Sequence, residues 1–126
     1  MSHATPHPTP RAARAALTLR VWAAYIAAFG AILFVAPRAL LEPCGIPCRE
    51  EPWARLVGVL ALFIAYYYAR LAATGVPALM RWTVHTRLAL LPCCLALVLA
   101  GVAPLVLLAF GALDLIGAAW TWWYLR

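Results

Sequence analysis

The sequence predicts an all-α fold, a four-helix transmembrane bundle with cytoplasmic N- and C-termini. Three observations carry that expectation. Hydrophobic residues make up 67% of the 126-residue chain and charged residues 11%, whereas a soluble domain is roughly half apolar and a quarter charged. A chain this short has too little interior to hide so much apolar surface, so lipid is the solvent it calls for. The apolar residues also gather into four runs of spanning length, and none alternates with the period of a strand.

Residues 1–16 are rich in Pro, Thr, His, Ala and Arg and lack apolar periodicity, so a disordered or interfacial tail is expected there. His3 and His7, separated by proline, have no further metal ligand beside them. The first span is expected over 17–36 (Leu17 to Ala36). Its full-thickness length and the absence of a small-x-small cleavage site before Pro37-Arg38 argue against a signal peptide. A proline-rich loop from Pro37 to Pro52 follows. It ends in Arg49-Glu50-Glu51-Pro52, whose acids and proline suit a helix entry. The second span is placed at 53–73, a polar link at Thr74 to Thr83, and the third span at 84–102 with Pro92 as a kink. Gly101 to Pro104 turns the chain into a fourth span at 104–125. Residues 17–126 thus read as one membrane domain.

All ten basic residues are arginine, and the formal net charge is +6. They sit mainly at the ends of the apolar runs, so they read as topology signals and anionic-lipid contacts. No continuous basic face exists to bind nucleic acid. Seven arginines (Arg11, Arg14, Arg20, Arg70, Arg81, Arg87 and Arg126) fall on one side and three (Arg38, Arg49 and Arg55) on the other. The positive-inside rule then places both termini in the cytoplasm, with the chain in a bacterial inner membrane. Trp22, Trp82, Trp120, Trp122, Trp123 and Tyr124 read as the cytoplasmic aromatic belt, with Trp53 at the outer one.

The candidate site is Asp114. It lies ten residues after Pro104, roughly 15 Å along the helix at 1.5 Å per residue. A carboxylate at that depth needs a partner, a proton or water. Helical spacing puts Gly111, Gly117, Ala118 and Thr121 on its face, a small-residue surface suited to a neighbouring helix. Matching stripes are Gly58, Ala61, Ala65 and Ala69 in the second run and Ala24, Ala27, Ala28 and Ala31 in the first. The polar partners within reach are Arg87 and His85 on the third helix and Tyr66, Tyr67 or Tyr68 on the second. Three readings stay open: a structural tie between helices, a proton or ligand site, or a solitary protonated Asp114 with no role.

Cys44 and Cys48, in Cys-Gly-Ile-Pro-Cys, fall in the outer loop, and Cys93 and Cys94 are expected to be buried at mid-membrane. A loop cysteine pair on a four-span protein resembles the quinone-coupled disulfide-forming enzymes, which use two intervening residues where this chain has three. No metal site is expected, since no third and fourth ligand accompany either pair.

The size, the Gly45-Ile46-Pro47 loop after the first span and the Gly58-containing second helix together resemble the DoxX-like small membrane proteins. That pattern carries a Glu near the start of the second helix, where this chain has Trp53-Ala54-Arg55-Leu56-Val57-Gly58 with Glu51 outside. The resemblance implies a small accessory membrane protein and supplies no catalytic residue. Three functions follow from the residues. The first is a non-enzymatic accessory bundle that binds a lipid or quinone, or assembles as a homo-oligomer or with a larger membrane complex. The second is a proton-coupled transporter or channel using Asp114, in outline similar to the small multidrug exporters. The third is a thiol–quinone oxidoreductase using Cys44 and Cys48.

Overall fold

The computed structural model describes residues 9–126, and every regular element among them is helical. The elements are α1 (Pro10–Val35), α2 (Pro37–Leu41), a 3-10 turn (Glu42–Cys44), α3 (Glu51–Thr74), α4 (Pro77–Leu99) and α5 (Leu107–Leu125). Helices α1, α3 and α4 are long and apolar enough to cross a membrane. Helix α5 falls outside that set. Its 19 residues still reach about 28 Å at 1.5 Å per residue.

Several boundaries differ from those read off the sequence. Helix α1 starts at Pro10, not Leu17: Thr9 accepts a hydrogen bond from the Ala12 backbone N–H and Pro10 occupies the first turn. Ala12, Ala15 and Ala16 are then buried, so residues 10–16 belong to the packed structure. His3 and His7 lie outside the described residues. The loop from Pro37 contains α2 and the 3-10 turn. The polar link after α3 shrinks to Gly75 and Val76, with Gly75 in the left-handed conformation (φ 65°) that ends a helix. Helix α4 then starts at Pro77, and Met80 and Thr83 are buried in its first turns. Pro104 to Val106 form turn structure ahead of α5.

Contacts between the long helices are uneven. Helix α1 packs extensively on α3, α4 pairs with α5, and α1 joins the two pairs through α5, while α3 meets α4 only sparsely. A core cluster of Ala15, Ala16, Leu19, Ala72, Met80, Val84, Ala118 and Leu125 draws on all four long helices. It lies at the end of the molecule where α1 starts and α5 finishes. Arginines close that end. Arg11 donates to the carbonyl of Arg126 and Arg81 to that of Leu125, both at 3.1 Å, which satisfies carbonyls that a helix C-terminus leaves orphaned. At the opposite end Arg55 donates to the carbonyls of Phe34 and Val35, the last of α1, and to Glu51. Arg38 also pairs with Glu51, at 2.6 Å.

Between these ends, α1 and α3 cross backbone to backbone. A Cβ on Gly58 would lie 2.7 Å from the Phe34 nitrogen and 2.8 Å from the Gly30 oxygen. A methyl there forces the helices apart. Outside, large apolar side chains such as Trp53, Phe63, Ile116 and Trp123 stand more than half exposed, a surface compatible with lipid.

Candidate functional site

Helix α5 presents Asp114 on a face made of small residues. Gly111, Gly117, Ala118 and Thr121 are all buried, as their spacing predicted. Gly111 lets α4 approach, since a Cβ there would sit 3.0 Å from the Leu91 Cα. Gly117 has a more specific role. An added Cβ would collide with the Arg87 guanidinium and the Trp22 ring, so its missing side chain is the slot in which Arg87 lies.

Arg87 enters that slot from α4 and is 3% exposed. Its Nε lies 3.7 Å from Asp114 Oδ1, close enough for an ion pair and too far for a hydrogen bond. The hydrogen bond to that oxygen comes from elsewhere: the Trp22 indole N–H of α1 donates to Oδ1 at 2.9 Å. The Trp22 ring also lies under the guanidinium, 4.5 Å from its carbon to the ring centroid, and the Tyr68 ring flanks it at 5.9 Å. Arg87 Nη1 donates to Thr121 Oγ1 at 3.2 Å, and Thr121 meets Thr18 Oγ1 at 3.0 Å. Three helices are thus tied at one point by polar groups. Two Arg87 groups remain: Nε and Nη2 are buried and have no hydrogen-bond acceptor among the described residues.

Beside this cluster is a cavity of about 720 Å³, and Arg87 and Asp114 line it. Phe29 and Leu33 of α1, Ile64 of α3, Leu90 of α4 and Phe110 of α5 make the rest of the wall largely apolar, while Leu41 and Ile46 reach it from the loop. It exists because α3 and α4 hardly touch. The core cluster closes one end of the molecule, and the space between the two helix pairs is left open beyond it. Ile64, Tyr67 and Leu90 line the cavity and are also exposed on the outer surface, so the space reaches the surroundings between α3 and α4.

The remaining candidates are dispersed. Tyr66 is 62% exposed and lines neither the cavity nor the ion pair. Tyr67 is 64% exposed but contributes to the cavity wall, and Tyr68 reaches both wall and guanidinium. No tyrosine hydroxyl bonds to Asp114 among the described residues; the sequence expectation of a tyrosine partner gives way to Trp22. His85 is exposed and lines a separate groove with Leu88 and Trp122, so it is not a partner of Asp114. Cys44 and Cys48 are free thiols, partly buried, on either side of Ile46. Cys94 is buried as expected, but Cys93 is exposed. On α1 the small stripe at Ala24, Ala28 and Ala31 faces outward, and Ala16, Leu19, Ala23 and Gly30 are buried in its place.

Trp22 was the residue that sequence reasoning missed, because tryptophan near a helix end reads as an interface anchor. A signal was present: Thr18, Trp22, Tyr25 and Phe29 recur at helical spacing and bring polar tips to one face. No protein-family model, curated protein or solved structure matches the chain. Function therefore rests on the geometry.

Proposed function

We propose that this is a multi-pass protein of the bacterial inner membrane with four spans and cytoplasmic termini. We infer that it serves as a non-enzymatic accessory protein whose cavity holds one lipid-soluble molecule, a lipid or a quinone. One observation carries this: the cavity is apolar along most of its wall and meets the buried Arg87 paired with the half-buried Asp114. Sites of roughly 300–1,000 Å³ with apolar walls and a few placed polar groups are the usual form of small-molecule pockets. The opening between α3 and α4 supports entry from the bilayer. Helix α5 takes the fourth span, and its length supports that. The likeness to DoxX-like proteins is part of the same proposal, and the close packing at Gly58 is the feature that supports it. A proton-coupled transporter is favoured less, because Trp22 and Arg87 both hold the Asp114 oxygen.

The test is mass spectrometry of the protein released from detergent with decylubiquinone or monoolein added. One bound molecule is expected on the native chain. Leu90→Trp narrows the cavity from an exposed wall position and is expected to lose that molecule with its melting temperature unchanged. Failure of both probes to bind refutes the proposal.

A second reading has its own observation. Cys44 and Cys48 are free thiols two residues to either side of Ile46, which lines the cavity, and in this reading a quinone held there oxidises them. Two thiols oxidised to a disulfide release two electrons and two protons, which reduce one quinone to its quinol. Loss of free Cys44 and Cys48 thiols on adding decylubiquinone without oxygen would support this reading, and unchanged thiols would remove it.

A further inference from the structure

The binding proposal leaves the chemistry of the ligand open, and the Arg87 cluster narrows it. Charge comes first. Arg87 and Asp114 already form an ion pair, so the polar end of the cavity has no net charge. An anionic headgroup would add a second negative group beside Asp114 inside a low-dielectric wall, and a cationic one would add a second positive group beside Arg87. Either leaves an uncompensated buried charge, which costs far more than a neutral polar group. Hydrogen bonding comes second. Arg87 is 3% exposed, and its Nε and Nη2 donors are buried without an acceptor among the described residues. Guanidinium groups carry five donors and no acceptor, so what they lack is an oxygen with a lone pair. Buried donors left unmet are costly, and they mark a place where an acceptor belongs.

We propose that the cavity selects an uncharged lipophile ending in a carbonyl oxygen, which takes a hydrogen bond from Arg87 while its apolar body lies along Phe29, Ile64 and Leu90. This rests on the binding function proposed above. Two sources offer that chemistry, a quinone ring and an acyl ester, and both present a neutral carbonyl at the end of an apolar body. Trp22 holds Asp114 and stacks on Arg87, so the pair keeps its geometry when the ligand leaves.

Thermal melts of the detergent-purified protein test this with four probes. Methyl oleate is neutral with a carbonyl, oleate at about pH 9 is anionic, 1-octadecene has no acceptor, and decylubiquinone is the quinone source. Methyl oleate or decylubiquinone, or both, should raise the Tm by roughly 5 °C at saturating ligand, since binding to the folded state stabilises it. Oleate and octadecene should leave it within the error. Whichever neutral carbonyl gives the larger shift identifies the source, and either supports the proposal. Should oleate stabilise as much as methyl oleate, neutrality is wrong; should octadecene do so, the carbonyl is irrelevant. In both of these outcomes the binding function stands and the selectivity falls. If no probe shifts the Tm, both are overturned. The double variant Arg87→Met with Asp114→Leu provides an internal control, and it should bind octadecene and methyl oleate alike.

Discussion

Two groups address a single carboxylate oxygen at Asp114. The Trp22 indole N–H reaches it at 2.9 Å, and Arg87 Nε stands at 3.7 Å. The indole orients the carboxylate, and the guanidinium compensates its charge. Removing one charge of a buried pair strands the other, at a cost of about 3–5 kcal/mol. Asp114→Ala is therefore expected to lower the melting temperature in detergent more than Asp114→Ala combined with Arg87→Leu, a non-additivity that a double-mutant cycle reads directly. A loss in the double variant equal to the sum of the two single losses would show that the two side chains are not coupled. Trp22→Phe keeps an aromatic ring but removes the N–H donor together with part of the indole's packing. It should cost about 1.5–3 kcal/mol, the usual worth of a hydrogen bond to a charged group. At this scale the sequence was half legible. Asp114 and Arg87 stood out because ionisable groups inside apolar runs are conspicuous. His85 could not be separated from Arg87 without knowing which face of α4 turns inward, since residues two apart point about 200° apart on a helix.

Gly30 and Gly58 decide how α1 and α3 meet. Each glycine's missing side chain is occupied by the other helix's backbone, with the Gly58 oxygen 2.8 Å from where a Gly30 Cβ would sit. Backbone cannot move aside as a flexible side chain can. Gly58→Ala is expected to cost about 1–3 kcal/mol through overpacking. Ala69→Leu on the same helix should cost nothing measurable, because Ala69 is exposed. Thermal melts of the two variants check the pair, and equal effects would refute the close crossing. Gly58 was visible in the sequence because glycine in an apolar helix signals close approach, but Ala69 of the same expected stripe lies outside the packed face. The partner face on α1 was not visible. Alanines occur all around α1, and small residues alone do not say which side is packed. The start of α1 was hidden for the same reason: Ala12, Ala15 and Ala16 carry little hydrophobic signal yet fill the core.

The molecule as a whole is two helix pairs closed at one end and parted between α3 and α4, which is why it has both a core and a cavity. The closed end concentrates cations. Arg11 and Arg81 hold the last carbonyls of α5 there, whereas Arg38 and Arg55 at the other end are paired with Glu51. Arg87, counted from the sequence as a flanking arginine, is buried in mid-helix and drops out of the charge bias, leaving six arginines against three. That remaining bias supports the proposed orientation, with the closed end toward the cytoplasm. The expected topology can be checked with single-thiol variants in intact cells. With Cys44, Cys93, Cys94 and Cys48 replaced by serine and Ser2→Cys introduced, a membrane-impermeant maleimide should label only after the cells are broken open. With Cys48 alone retained in the α2–α3 loop, the same reagent should label intact cells. Reversal of the two patterns would invert the orientation, and labelling of both from outside would mean that α1 does not cross the membrane between them.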